Sequence, residues 1–301
     1  MRIVHFKKQN ISRIGIKTEE GILDVKSASK ELGFPAAGSI KELFSNLPTA
    51  LNQLNDLLEA VQKESMTDFY INEESIYFLP INTDPDKIIT IDYNYLMHAS
   101  EQNGDIPTAL SYGGKFKNSL AAHNQTIPLP TFAEKYDYGA ELVIVIGKKA
   151  KNISKESAFD YILGYTVGND LSSRDIQEAA QNKLAGKTLD YFAPVGPYLV
   201  TKDEVDPDHL DIQLSLNGNI RQRNNTKNML FCTADIVSML SQYMTLSPGD
   251  LIFTGTPEGV TSGFGMMSSF KEQVPGSNWI SSGDTIEVSI ESIGTLRNTF
   301  F

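Results

Sequence analysis

Two residues in the first third of the chain have the types and the spacing of a proton-transfer pair. His98 and Glu101 are three residues apart, so on a helix their side chains would lie on one face. A carboxylate next to an imidazole raises the basicity of the ring and can fix its tautomer, and such a pair can take a proton from water. The same spacing is also typical of a solvent-exposed ion pair, so the two residues alone leave both interpretations open.

Two acidic residues stand at the ends of predicted strands. Glu141 begins the run 141–146, which is otherwise apolar, and Asp170 follows a predicted strand at residues 165–167. A carboxylate that enters a buried strand must be paired, hydrogen-bonded or bound to a metal. The alternatives are a charge at the exposed end of a strand for Glu141 and a loop-capping aspartate for Asp170.

Candidate anion-binding groups follow in the second half of the chain. Arg174 can grip a carboxylate in bidentate fashion, and residues 254–256, Thr-Gly-Thr, can offer hydroxyl and backbone N–H groups. Lys187 lies in a Gly-Lys-Thr context, but the upstream positions 181 and 182 are glutamine and asparagine and not glycine. Lys187 is therefore not part of a phosphate-binding loop. Packing at strand ends is the alternative role for each of these residues.

Composition limits the classes of protein and of partner. The 301 residues are 41% hydrophobic and 21% charged, which predicts a globular protein with one large domain or two unequal ones. The formal net charge of −11 repels phosphate backbones, so nucleic acid is not an expected partner. A local positive pocket for an anionic substrate remains compatible with this charge.

The sequence also gives expectations about location. No apolar run reaches the roughly 18 residues of a membrane-spanning helix, and residues 1–8 do not have the pattern of a signal peptide. Cys232 is the single cysteine, which excludes an intrachain disulfide and fits a reducing compartment. We therefore expect a soluble cytoplasmic protein without a membrane partner.

Periodicity predicts an α+β, mostly β protein with two domains, residues 1–82 and 83–301. In the first, residues 11–16 and 21–25 are predicted strands, and residues 39–62 have helical periodicity broken at Pro48. In the second, strands are predicted at 88–91, 141–146, 165–167, 251–253 and 285–290, with a hairpin at 214–220 turning at Asn217-Gly218. Helices are predicted from Ser154 to about residue 163 and from 235 to 244.

Taken together and in order, these segments resemble the fumarylacetoacetate hydrolase family over about residues 86–298. The matching positions are Asn94-Tyr95, His98 and Glu101; residues 115–120; the Glu141 strand; Asn169-Asp170, Arg174-Asp175 and Gln177; Gly186-Lys187, Asp190, Ala193-Pro194 and Gly196-Pro197; Asn217-Gly218, Arg221-Gln222 and Asn225-Thr226; residues 246–250 and 254–257; and residues 294–298. The first 80 residues resemble the smaller leading domain of many members.

The resemblance implies a mixed β-sandwich roll as the catalytic domain and a chemistry for the pocket. Members bind one divalent cation, Mg²⁺ or Mn²⁺, through carboxylates, which here would be Glu141 and Asp170. Hard oxygen ligands suit Mg²⁺, and a chelated 2-oxo acid can form an enolate with the metal as Lewis acid.

The resemblance also assigns roles to individual side chains. The positions matching His98, Glu101 and Lys187 are catalytic, and those matching Arg174, Gln177 and Thr256 hold the substrate. We expect the pair at 98 and 101 on a short lid at the mouth of the pocket, and a homodimer.

One position departs from the family pattern. The first glutamate of the family's Glu-x-Glu strand aligns with Gly139, which leaves two of the expected carboxylates. A weaker metal site, a metal-free member with another role and an engineered sequence are the alternatives.

The function expected from the resemblance is metal-assisted hydrolysis or lysis of a C–C bond in a small 2-oxo acid, such as an acylpyruvate. Isomerisation of a 2-hydroxy-diene dicarboxylate and decarboxylation of oxaloacetate use the same enolate chemistry. A catalytically silent binding protein is the alternative from another class, because of Gly139.

Overall fold

The computed structural model describes residues 1–101, 107–263 and 279–301, and the side chain of Glu101 lies outside the described part. The α-helices in these ranges are α1 (Val25–Leu32), α2 (Ile40–Ser45), α3 (Thr49–Lys63), α4 (Leu96–Glu101), α5 (Arg174–Ala180), α6 (Lys183–Lys187) and α7 (Thr233–Tyr243). Short 3-10 helices lie at Glu73–Ser75, Lys117–Ser119, Ala158–Tyr161, Thr226–Asn228 and Thr261–Gly263.

The strands are numerous and short. They are β1 (Arg2–Lys8), β2 (Ile11–Lys17), β3 (Ile22–Asp24), β4 (Tyr70–Ile71), β5 (Tyr77–Phe78), β6 (Ile88–Asp92), β7 (Ser111–Lys115), β8 (Leu120–Ala121), β9 (Thr126–Ile127), β10 (Tyr136–Asp137), β11 (Ala140–Ile146), β12 (Ile162–Asn169), β13 (Ser172–Ser173), β14 (Ala193–Thr201), β15 (Asp211–Leu216), β16 (Asn219–Asn225), β17 (Leu251–Phe253), β18 (Thr285–Ile290) and β19 (Gly294–Phe300).

The helices α2 and α3 follow the predicted periodicity, and the predicted break at Pro48 is confirmed. Ser39 caps α2 by accepting a hydrogen bond from the backbone N–H of Glu42 at 3.3 Å. One face of α3 is fully buried at Leu54, Leu57 and Val61. Burial of such side chains contributes roughly 1.5–3 kcal/mol each, so packing on the leading strands holds this helix in place.

The largest sheet in the described ranges joins the leading strands to strands from the middle of the chain. Its main path is β4-β3-β2-β1-β14-β12-β11-β17-β6-β7, with β5 on β1 and β8 on β14. β1 pairs antiparallel with β14, so strand pairing is continuous between the leading 82 residues and the remainder. All seven residues of β11 are buried, which explains why its sequence is apolar on both faces.

A second sheet packs over the first. Its order is β16-β15-β18-β19-β9, and its buried residues, such as Val288 and Leu296, join one core with Leu142 and Ile144 of β11. The alternation of buried and partly exposed residues along β18 is the pattern of a sheet with one face on the core. The predicted α+β, strand-rich class with mixed sheets is confirmed.

Most predicted elements of residues 83–301 are confirmed, but one helix is wrong. Strands β17 and β18 have the predicted bounds, and the hairpin β15–β16 turns at Asn217-Gly218, with both residues at positive φ. The segment predicted as a helix from Ser154 instead forms a 3-10 turn and then β12, which begins at Ile162. Pairing of β12 with both β11 and β14 outweighs the local capping signal. No helix among the described residues is long and apolar enough to cross a membrane.

Candidate active site

One polar pocket collects most of the residues that the sequence singled out. Its lining consists of Ile91, Asp92, Tyr93, His98, Tyr138, Gly139, Glu141, Asp170, Arg174, Lys183, Lys187 and Thr256. Of the predicted site residues, Gln177 does not line the pocket, and the side chain of Glu101 lies outside the described residues. The structure brings together in this pocket the five residues that were expected to converge: Glu141, Asp170, Arg174, Lys187 and Thr256.

The inner wall of the pocket lies where β11 begins and the neighbouring strand β12 ends. The register pairs Glu141 with Gly168, and Asp170 donates its backbone N–H to the carbonyl of Gly139 at 2.8 Å. Glu141 is 1% exposed, and its Oε2 accepts a 2.7 Å hydrogen bond from the N–H of Gly255. Two carboxylates from neighbouring strands thus enter the pocket from one side.

Two buried lysines hold the carboxylate of Asp170. The Nζ of Lys115 lies 2.8 Å from Oδ1 and also donates to the carbonyls of Leu171 at 2.7 Å and Phe192 at 2.8 Å. Lys187 makes a short ion pair with the other oxygen, Oδ2. Lys115 belonged to a recognised motif, but no role was predicted for it, because its contacts with Asp170 and with main-chain carbonyls join residues that are distant in sequence.

Burial and charge set the pKa values of this inner group. Burial raises the pKa of Glu141 well above its ordinary value, and the charge of Asp170 raises it further. Burial would also raise the pKa of Asp170, but the charges of Lys115 and Lys187 outweigh it and hold that pKa below its ordinary value. Burial lowers the pKa of Lys115 to about 8 against the attraction of Asp170. For Lys187 burial is outweighed by Asp170, and the pKa is raised.

Gly139 lies just before β11, not inside a strand, and lines the pocket beside Glu141. A Cβ at this position would lie 3.2 Å from Cβ of Thr256 and 3.4 Å from the carbonyl oxygen of Asp170. The first contact is tight, so a larger residue would require Thr256 to move by a few tenths of an ångström. The position expected to carry a third carboxylate therefore does face the pocket, although the space beside it is narrow.

Arg174 and Thr256 form another part of the lining. The Nε of Arg174 donates to Oδ2 of Asp137 at 2.9 Å, and Nη1 donates to Oε1 of Gln177 at 3.1 Å. Gln177 therefore stands behind the guanidinium, outside the lining. Thr256 accepts a 2.8 Å hydrogen bond from Nε2 of Gln222, so its hydroxyl hydrogen is available to donate into the pocket.

The outer part of the pocket is aromatic and charged. His98 lies on the short helix α4 and is 7% exposed, and its ring stacks on that of Tyr93 with centroids 5.8 Å apart. The Nζ of Lys183 also lies over the ring of Tyr93, 3.9 Å from its centroid. Among the described residues, the ion-pair partner of this ammonium is Asp92, at 3.4 Å. A short helix thus brings an imidazole to the pocket.

The donors of the inner wall fit a hard divalent cation that uses few protein ligands. Glu141 and Asp170 are buried carboxylates that raise each other's cost of ionisation, which a cation between them would relieve. Mg²⁺ often takes only one or two carboxylates and keeps several waters. In the part of the chain that is described, no group of three or more His, Cys, Asp or Glu side chains could hold a metal ion. The ammonium groups of Lys115 and Lys187 would compete with such an ion for Asp170.

Comparison with known proteins gives consistent matches along the chain. Residues 87–301 match the sequence model of the fumarylacetoacetate (FAA) hydrolase C-terminal family. A fumarylacetoacetate hydrolase domain-containing protein 2 homolog of Dictyostelium discoideum is 39% identical over 303 residues, covering 94% of this chain and 96% of that protein. The mitochondrial oxaloacetate tautomerase fahd2 of Xenopus laevis is 35% identical over 305 residues, covering 99% and 89%.

A solved structure extends the likeness to the whole fold. The fumarylacetoacetate hydrolase of the psychrophile Exiguobacterium antarcticum superposes with a TM-score of 0.76 at 28% identity, and the match covers 100% of this chain and 99% of that one. The proteins similar to this chain thus include one named a tautomerase and one named a hydrolase.

Proposed function

The chain belongs to the fumarylacetoacetate hydrolase family, and on that premise we propose that it enolises a small 2-oxo acid, interconverting keto and enol forms of an oxaloacetate-like substrate. The observation that carries the proposal is the meeting of Glu141, Asp170 and Lys187 with Arg174 and Thr256 in one pocket. The 35% identical relative named an oxaloacetate tautomerase supports the choice of reaction.

The proposal includes one divalent cation, Mg²⁺ or Mn²⁺, which the carboxylates of Glu141 and Asp170 would hold. When bound, such an ion acts as a Lewis acid that polarises the keto group and stabilises the charge of an enolate. Gly139 contributes no ligand, so we expect weak binding of the ion.

The remaining polar groups orient the substrate. Arg174 is preset by Asp137 and Gln177, so its guanidinium meets a carboxylate with little loss of side-chain freedom. Thr256 donates its hydroxyl hydrogen to a substrate oxygen. Lys187 keeps its proton, since Asp170 raises its pKa, and it donates a hydrogen bond to the oxygen on which charge develops.

Proton transfer is assigned to His98. Enolisation removes a proton from the carbon next to the keto group, and imidazole is the side chain whose ordinary pKa suits this exchange near neutral pH. Stacking on Tyr93 fixes the plane of the ring at the pocket. Glu101, three residues further along the sequence, is proposed as the group that orients His98, because a carboxylate beside an imidazole can fix its tautomer.

The test is a panel of short 2-oxo acids in deuterium oxide, with Mg²⁺, with Mn²⁺ and without metal. Incorporation of deuterium at the carbon next to the keto group, followed by NMR, reports enolisation directly. We expect catalysed exchange that depends on the protein and is stimulated by the ion. Exchange no faster than in buffer with every acid would contradict the proposal and favour a silent binding protein.

Hydrolysis of a C–C bond in an acylpyruvate is the second candidate function. The observation that favours it is the buried His98 imidazole in the pocket lining, because such a group can also activate water. The same NMR spectra would show pyruvate and a second acid as products. Enol–keto exchange without these products would decide for tautomerisation.

The division at residues 82 and 83 and a homodimeric state remain proposals as well. Light scattering on the purified protein tests the homodimeric state, because a dimer has twice the 33.3 kDa mass of one chain.

A further inference from the structure

Lys183 is the least constrained cation of the pocket lining in the described part of the chain. Arg174 and Lys187 have ion-pair partners at 2.9 Å or closer, in Asp137 and Asp170. Lys183 lies 3.4 Å from Asp92, and its side chain is 45% exposed. A long, partly hydrated ion pair gains little energy, so an incoming anion can replace Asp92 as the partner of Lys183.

The spacing of the two lysines on α6 matches a substrate with two charges. Lys183 and Lys187 are four residues apart on one helix, and both line the pocket. Residues at this spacing lie on the same face, about 6 Å apart along the axis. This distance is comparable with the length of a short dicarboxylic acid, so one substrate can contact both ammonium groups.

Two contacts keep Lys183 directed at the pocket. Its ammonium rests on the face of Tyr93, 3.9 Å from the centroid, which favours a cation there. Its backbone carbonyl accepts a 2.9 Å hydrogen bond from Nε2 of Gln177, the residue that also contacts Arg174. The position of Lys183 is therefore tied to that of the guanidinium.

We propose that Lys183 binds the second carboxylate of the substrate, so that the protein selects 2-oxo dicarboxylates over 2-oxo monoacids of the same length. The inference rests on the proposed function and adds to it a residue that determines specificity. Lys187 and Arg174 serve the 2-oxo acid end, which both kinds of substrate share, and Lys183 serves the group that only the dicarboxylate has. Asp92 is the partner that the second carboxylate displaces.

The experiment compares oxaloacetate with 2-oxobutanoate, in which a methyl group replaces the second carboxylate. The measured quantity is the ratio of their kcat/KM values for deuterium exchange at C3. Lys183→Met keeps an unbranched apolar side chain and removes the charge, and we expect it to lower the ratio at least about tenfold. Lys183→Arg is the matched control and should keep the ratio within about threefold. Asp92→Asn removes the competing carboxylate and should raise the ratio.

The outcomes separate this inference from the proposed function. A ratio that Lys183→Met leaves unchanged, or an equal fall with both acids, would overturn the role of Lys183 and indicate that it only supports Tyr93 and His98. Failure of the unsubstituted protein to exchange either acid would contradict the proposed function itself, and this inference with it.

Discussion

Two buried aspartates, Asp24 and Asp170, each contact two cations, yet of the two only Asp170 lines the candidate active-site pocket. Asp24 is 1% exposed and accepts from Lys8 at 3.0 Å and from Arg13 at 2.7 Å. It also caps α1, since Ser27 donates to it through its N–H at 3.3 Å and its hydroxyl at 2.8 Å. The side chains that contact the carboxylate of Asp24, those of Lys8, Arg13 and Ser27, come from residues nearby in sequence.

The surroundings of Asp170 differ in the burial of its partners. Lys115 and Lys187 are themselves buried, whereas the side chain of Lys8 is 41% exposed. A second buried carboxylate, that of Glu141, adds a negative charge beside Asp170. The difference shows that a buried ion pair by itself indicates structure. A functional site is indicated when buried charges of both signs line an open pocket and one carboxylate, here that of Glu141, has no ion-pair partner of its own among the described residues.

The largest difference between the two aspartates is expected when the charge of each is removed by substitution with asparagine. Asp170→Asn removes a proposed metal ligand and the partner of Lys187, so we expect kcat/KM for 2-oxo acid exchange to fall about 10³-fold or more, the scale on which loss of a preorganised charge acts. Asp24→Asn should leave kcat/KM unchanged. Circular dichroism checks that both variants are folded. Equal activity of Asp170→Asn and the unsubstituted protein would place the chemistry elsewhere.

Substitutions in the outer part of the pocket should lower activity less than substitutions in the inner wall. His98→Ala removes the proposed proton carrier, and we expect turnover to fall about 10²-fold, as is typical for a general base. His98→Gln is the matched control, because it keeps a polar side chain that cannot exchange protons near neutral pH. A variant with His98→Ala and full turnover would exclude the imidazole from the mechanism.

Prediction from the sequence was most successful where the pattern is local. Strands 251–253 and 285–290 and the Asn217-Gly218 hairpin are correct because apolar runs and turn residues define their own limits. The helix expected at Ser154 is wrong because β12 is stabilised by pairing with β11 and β14, which no local signal reports. The pairing of β1 with β14 joins residues about two hundred positions apart.

The same distinction holds for the site. The carboxylates and Lys187 could be identified because each belongs to a motif of the family. The contacts of Lys115 could not, since they depend on the carbonyls of Leu171 and Phe192 reaching one buried point. Gln177 was expected among the substrate-binding residues, and the fold places it behind Arg174. Its role in holding substrate stays a prediction.

Asp24 should act on stability and on its pH dependence. We expect Asp24→Asn to lower the free energy of unfolding by about 2 kcal/mol at pH 7, since it leaves Arg13 without its buried partner. Burial would raise the pKa of Asp24, but Ser27, Lys8 and Arg13 together lower it. For a carboxyl with a lowered folded-state pKa, the stabilisation is complete above the unfolded pKa of about 3.9 and is lost as pH falls further. Urea titrations from pH 7 to pH 3 should therefore show the two proteins converging below about pH 4. A constant difference would contradict the charge-based account.

The smallest effect is expected from a substitution that adds the missing carboxylate to the proposed metal site. Gly139 faces the pocket beside Glu141, so Gly139→Glu adds a carboxylate where the family pattern expects one. We expect Mg²⁺ or Mn²⁺ to bind at least about tenfold more tightly, which corresponds to about 1.4 kcal/mol. Turnover should rise as well where occupancy of the ion limits it. Calorimetric titration with each metal measures the affinity.

Two control variants isolate the charge from the space it needs. Gly139→Gln has the same size without the charge, and Gly139→Ala tests only the 3.2 Å approach of the new Cβ to Thr256. If Gly139→Ala already lowers activity, movement of Thr256 is the cause, and the glutamate variant must be judged against it. Equal metal affinity of the Glu and Gln variants would show that position 139 is not a vacated ligand position. Tight binding by the unsubstituted protein would show instead that Glu141 and Asp170 suffice, with the lysines giving way to the ion.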